Sequence, residues 1–106
     1  MDPLRGEVWD VRFPFVGEHP AVILTINSMI SRLNSLTVAV VTRTAGPTPT
    51  HVPLDAEAGL TGYDVSYANA TDLHSVHRGR LRRRRGRLHL AEMQRLESAI
   101  RTYLGL

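Results

Sequence analysis

The chain contains no cysteine and no lysine. The first absence removes disulfides, thiolate nucleophiles and cysteine-ligated zinc together, and it suits a reducing compartment, so a cytoplasmic protein is expected. The second leaves the positive charge to thirteen arginines, set against ten carboxylates, for a net charge of +3. Arginine's planar fork holds a phosphate bidentately and stacks on a nucleobase, whereas lysine acts as a point charge, so this balance points to a polyanionic partner such as RNA or DNA. No run of 18 apolar residues occurs, and the N-terminus lacks a basic start followed by an apolar stretch. Neither a membrane span nor a secretory signal is therefore expected. With 106 residues, 42% of them apolar, the sequence can fill one core but not two, and residues 1–106 are expected to form a single domain.

What the sequence does contain is a series of short strand-like runs. Gly6 to Phe13 sets Val8, Val11 and Phe13 among Glu7, Asp10 and Arg12 and ends at Pro14 and Gly17, the pattern of a first strand closed by a loop. Ala21 to Ile26 and Leu36 to Val41 predict the second and third strands. The third is apolar at every position from Val38, which fits either burial on both faces or an oligomer interface. Gly46, Pro47 and Pro49 then impose a turn, because proline cannot continue a central strand. His51 to Leu54 predicts another short strand, Asp55 to Gly62 a loop, and Asp64 to Ala70 a further strand. From Leu90 the period changes. Met93, Leu96, Ile100, Tyr103 and Leu104 share one helical face opposite Glu92, Arg95, Ser98 and Arg101, and Gly105 can end the helix. His89 stands at the N-cap, where it is a poorer cap than serine, so a frayed first turn is expected. Five or six short strands followed by one amphipathic helix predict a mainly β fold, a small and strongly bent barrel capped by the helix.

The second and third strands carry chemically usable side chains at one end only. His19 precedes the one, and Thr42, Arg43 and Thr44 follow the other. Antiparallel pairing across residues 27–35 brings His19 and Thr42 to the same rim. An imidazole, with an ordinary pKa of about 6.5, both takes up and releases protons near neutrality. Thr42 can donate to a phosphate oxygen and Arg43 can offset the charge that builds there. Any hairpin also brings polar outer ends together, so the rim alone leaves an inert reading open. The tract from Arg82 to Arg85, with Gly86 and Arg87, reads equally as a phosphate contact or as an edge strand whose charge discourages aggregation. His74 and His77 have a spacing that suits one helical face, but no matching carboxylate or cysteine set lies nearby and no metal site is expected. Trp9 can pack in the core or stack on a base.

Taken in order, Arg5-Gly-Glu-Val-Trp, Gly17-Glu-His-Pro-Ala-Val-Ile-Leu-Thr, Val40-Val-Thr-Arg-Thr, Pro49-Thr-His-Val-Pro-Leu, Asp72-Leu-His-Ser-Val and a terminal helix ending Leu104-Gly-Leu resemble the MazF/PemK family of toxin endoribonucleases over nearly the whole length. The resemblance implies a Src-homology-3-like β-barrel with a C-terminal helix, of the CcdB/Kid/MazF type, and a homodimer. It also implies a toxin of a type II toxin–antitoxin system, restrained by a MazE-like antitoxin. The activity implied is cleavage of single-stranded RNA, mRNA above all, at short sequences and without metal or cofactor. The ribose 2′-hydroxyl attacks its own phosphate, leaving 2′,3′-cyclic phosphate and 5′-hydroxyl ends. His19 and Thr42 become the catalytic pair, with Arg43, Thr44, Phe15, Glu18, Asp72, His74, Arg83 and Arg85 as RNA-binding candidates. One departure stands out: the family usually has arginine where this chain has His19 before Pro20. Two other classes therefore stay open, a CcdB-type toxin that binds gyrase, and a member that keeps the groove while His19 has removed the chemistry.

Overall fold

In the computed structural model, which describes residues 2–14, 16–60 and 65–106, the strand-like runs become one antiparallel sheet. Its strands are β1 (Glu7–Phe13), β2 (Gly17–Ile23), β3 (Ser35–Thr42), β4 (His51–Leu54), β5 (Ser66–His77) and β6 (Leu81–Arg87), in the spatial order β4-β5-β3-β2-β1-β6. A one-turn helix α1 (Asn27–Ile30) lies between β2 and β3, and α2 (Leu90–Leu104) ends the fold. The expectation of five or six strands followed by one amphipathic helix is met with six strands and α2, α1 being a short addition, and there is one difference from a closed barrel. β4 and β6 are edges and do not pair; instead the segment after β4 lies against β6, where Arg85 Nη2 donates to the Gly59 carbonyl at 3.3 Å.

Alternation along the strands gives the sheet two apolar faces. Val8, Val22, Val41, Val52 and Ala68 pack with Leu88, Met93, Leu96 and Ala99 under α2, while Val11, Phe13, Ala21, Ile23, Leu36 and Val38 pack with Ile30 of α1 on the other side. The uninterrupted apolar run of β3 is thus buried on both faces within one chain, the first of its two readings. Trp9 is half-buried against the second cluster, with its indole Nε1 donating to Glu7 Oε1 at 3.0 Å, so it packs rather than stands open for a base.

Two boundaries differ from expectation. β2 begins at Gly17, which places His19 and Pro20 inside a strand. β5 begins at Ser66 and runs on to His77, so Asp72 and His74 share a strand face, and the odd spacing of His74 and His77 sends them to opposite faces instead of one helical side. Of the expected strand start, Asp64 lies outside the described residues. The first turn of α2 is also better held than expected. His89 accepts from the Glu92 N–H through Nδ1 at 3.3 Å, and Glu92 Oε1 accepts from the His89 N–H at 3.0 Å, a complete capping box built on histidine.

The β1–β6 seam is tied by charge. Glu7 accepts from the Leu4 N–H at 2.8 Å, from Trp9 Nε1 and, through Oε2, from Arg84 Nε at 2.7 Å. Burial opposes the charge on Glu7, but those hydrogen bonds and the Arg84 guanidinium outweigh it and hold the carboxyl below its ordinary value of 4.5. A folded-state value below the unfolded one adds stability above that ordinary value, and the addition is lost as the pH falls through the folded one. Glu7→Gln is therefore expected to cost about 1 kcal/mol at pH 7, the half-exposed Arg84 being screened by solvent. Urea denaturation should show the gap from wild type closing on acidification below pH 4.5. A gap that stays constant to pH 3 would assign the loss to packing.

Candidate active site

Two interruptions of the sheet meet at the C-terminal end of β3. The Leu24 N–H donates to the Thr37 carbonyl at 2.9 Å, so even-numbered positions of β2 turn their backbone groups toward β3. Pro20 is one of these and has no N–H to give. The β2–β3 ladder accordingly stops at the pair Ala21–Val40, and two residues further along each strand stand His19 and Thr42. On the other flank, Ala39 faces Leu73 but Val41 faces Ala68, so residues 69–72 of β5 bulge out against Val40 alone. The bulge satisfies its own backbone: Asn69 Oδ1 accepts from the Thr71 N–H at 2.9 Å and from its hydroxyl at 2.7 Å.

Between the two opened seams lies a groove of about 1020 Å³. His19, Glu18 and Pro20 of β2 line it on one side, Thr42, Arg43 and Thr44 at its end, and Asn69, Asp72 and His74 of β5 on the other, with Phe13 and Pro14 from the end of β1. Thr42 is held for donation: its Oγ1 accepts from the Thr44 N–H at 3.1 Å, which orients the hydroxyl and leaves its hydrogen for another acceptor. His74 Nε2 lies 2.6 Å from Asp72 Oδ1, and its ring packs 5.2 Å from that of Phe13. The arrangement brings an imidazole, a hydroxyl donor and a guanidinium to one open rim.

Seven of the site residues expected from the sequence thus share the groove: His19, Thr42, Arg43, Thr44, Glu18, Asp72 and His74. Arg83 and Arg85 do not line it. They stand on β6 beside Asp10, with Arg85 Nη1 at 3.0 Å from Asp10 Oδ1 and Arg83 Nη2 at 3.5 Å from Asp10 Oδ2. Phe15 lies outside the described residues. Asn69 is a groove residue that strand patterning passes over; its signal is an Asn two positions before a Thr within an otherwise strand-like run, a local turn former where a ladder should continue. Among the described residues, Asp55, His89 and Glu92 form the one trio whose ligand-type atoms approach one another closely enough for a metal. Those atoms are engaged in the α2 cap and in the Asp55 N–H to Glu92 Oε2 bond at 2.8 Å.

Residues 4–104 match the family model of PemK-like, MazF-like toxins of type II toxin–antitoxin systems. A comparison with curated protein sequences gives no match. Among solved structures, the chain is similar to an endoribonuclease in complex with its cognate antitoxin from a mycobacterial species, at 28% identity over 98% of this chain and 96% of that one, with a TM-score of 0.86. The Mycobacterium tuberculosis toxin MazF-mt6 is 26% identical over 94% of this chain and 97% of its own, with a TM-score of 0.85. MazF from Deinococcus radiodurans, at 18% identity over 100% of this chain and 99% of its own, shares the fold with a TM-score of 0.81. Because the family model spans the six strands and α2 together, the chain belongs to the PemK-like, MazF-like toxins of type II toxin–antitoxin systems.

Proposed function

We propose that this toxin is an endoribonuclease that cuts single-stranded RNA, with mRNA as its principal target, inside the groove at the end of β3. The observation that carries the reading is the meeting of His19 and the oriented Thr42 hydroxyl on one rim of that groove. His19 takes the proton of a ribose 2′-hydroxyl, and the oxygen attacks the adjacent phosphorus. Thr42 donates to a non-bridging oxygen while Arg43 offsets the charge of the phosphorane. The bond from phosphorus to the 5′-oxygen breaks, and that oxygen takes a proton from water, to which His19 returns the one it received, giving a 2′,3′-cyclic phosphate and a 5′-hydroxyl. The RNA supplies its own nucleophile, so the step calls for no metal.

Glu18, Thr44, Asp72 and His74 hold the strand within the groove, and Arg83, exposed on the edge strand, meets a flanking phosphate. Arg85 serves the fold through Asp10 and Gly59. A solved relative is bound to its cognate antitoxin, which supports a MazE-like antitoxin here; a disordered acidic segment suits the arginine-rich surface. A homodimer in the cytoplasm, each protomer one domain of residues 1–106, completes the reading; among the described residues no helix is long and apolar enough to cross a membrane. The histidine in place of the family's usual arginine favours a second reading, a groove that binds RNA without cutting it.

The deciding experiment incubates purified protein in EDTA with a long single-stranded RNA and with DNA of the same sequence, and maps the fragment ends. Discrete cuts in RNA alone, ending in cyclic phosphates, are expected. Uncut RNA would reject the nuclease reading: retained RNA binding then points to the non-catalytic groove, and arrested supercoiling to a gyrase-directed toxin.

A further inference from the structure

The Asp72–His74 pair has chemistry that the cleavage step leaves unused. Both side chains line the groove from the same face of β5. Asp72 Oδ1 is 2.6 Å from His74 Nε2, and a carboxylate only accepts hydrogen bonds, so Nε2 carries the hydrogen. In the neutral ring the other nitrogen, Nδ1, is then an acceptor, and among the described residues it makes no hydrogen bond. The ring plane is set independently. Phe13, only 6% exposed, holds it at 5.2 Å with the two rings inclined by 57°. Tautomer and orientation are both prepared before any ligand arrives, which is what a specificity contact requires.

Resting on the reading of the groove as an RNA site, we infer that this pair discriminates against uracil at one nucleotide position by accepting a hydrogen bond from the exocyclic amino group of the other bases. Adenine, cytosine and guanine each carry such a group, and single-stranded RNA leaves it open to contact. Uracil presents carbonyl oxygens in place of the amines of adenine and cytosine, and its one edge donor, N3–H, lies between two such oxygens. An oxygen set against Nδ1 pairs acceptor with acceptor, and both lose the hydrogen bond they had to water. Asp72 adds to the effect, because its carboxylate beside the ring repels the same oxygens and favours a donor-bearing edge. The pair is a specificity determinant; the bond-breaking step runs through His19 and Thr42.

Cleavage sites mapped in a randomised single-stranded RNA test the inference directly. The wild-type motif is expected to contain one position at which uracil is disfavoured by about 10- to 100-fold. His74→Phe keeps a ring against Phe13 and removes both nitrogens, so it should level that one position and leave the others unchanged. Uracil disfavoured as strongly by His74→Phe as by wild type would overturn the inference and leave the nuclease standing, whereas wild type that cuts nothing overturns the nuclease reading itself. Nitrogen-15 spectra of labelled wild type provide a readout that needs neither cleavage nor a variant. The His74 hydrogen should reside on Nε2, and Nδ1 should shift on titration with oligoadenylate but not with oligouridylate. A hydrogen on Nδ1, or equal shifts with both, would overturn the inference.

Discussion

On the proposed mechanism, His19→Ala is expected to lower the RNA cleavage rate by about 10²- to 10⁴-fold while the protein still folds and still binds RNA. The fold is spared because His19 belongs to β2 through its backbone register with Val11, and its exposed side chain makes no hydrogen bond among the described residues. Binding is spared because the remaining groove side chains are untouched. What disappears is proton transfer at the 2′-oxygen. Thr42→Ala removes the donor to the non-bridging oxygen and costs about 10²- to 10³-fold, whereas Thr42→Ser keeps the hydroxyl and most of the rate. The double variant should fall little further than the worse single one, since the two groups act on one transition state. The pH profile separates proton transfer from simple positioning. A general base works only while it is unprotonated, so wild-type cleavage should decline on acidification. His19→Arg restores the residue usual in the family and should flatten that dependence. A wild-type rate that is level from about pH 5 to 9 would remove His19 from the proton-transfer step.

The sequence made the strands legible wherever one side chain in two had to be buried, and α2 legible through its period of 3.6, because both are local consequences of burial. The rim was legible for the same reason: once two strands pair antiparallel, the positions of His19 and Thr42 follow from counting. The opening of the groove was not. Pro20 was visible, but its effect depends on whether its missing N–H would have faced β1 or β3, and only the register settles that. The β5 bulge required knowing that Val41 pairs with Ala68, a contact between residues far apart in the chain. The arginine tract shows the same limit. Its charge was plain, but whether Arg84 and Arg85 face RNA or carboxylates depends on Glu7 and Asp10, which arrive from the opposite end of the chain. His89 misled for a different reason: cap preferences are averages, and here Nδ1 reaches the Glu92 N–H while Asp55 steadies the far side of the ring.

Gly59→Ala should destabilise the protein by roughly 3 to 5 kcal/mol, enough to unfold much of it. Gly59 has φ of +79°, which alone costs an alanine about 1 kcal/mol. The larger part is steric. A Cβ there would stand 1.8 Å from the Arg85 carbonyl oxygen and 2.4 Å from its carbon, both backbone atoms of β6. The approach is close from both sides, since a Cβ on Gly86 would come within 2.2 Å of the Glu57 carbonyl oxygen. Two glycines therefore let one backbone lie on another where the sheet lacks a closing strand. Neither partner can retreat cheaply. Moving the loop withdraws Ala58 and Leu60 from the core under α2, and moving β6 strains its ladder with β1. Gly17→Ala supplies the control: its φ is +77°, but among the described residues a Cβ there meets nothing within 4 Å, so it should lose only the conformational part, about 1 kcal/mol. Urea denaturation of the two variants isolates the clash by difference, and values within about 0.5 kcal/mol of each other would show that the loop is not seated on β6. The consequence reaches the groove. β6 holds one edge of β1, and the other edge of β1 holds His19 in register, so a partly folded Gly59→Ala protein should lose cleavage in proportion to the β1–β6 seam it loses.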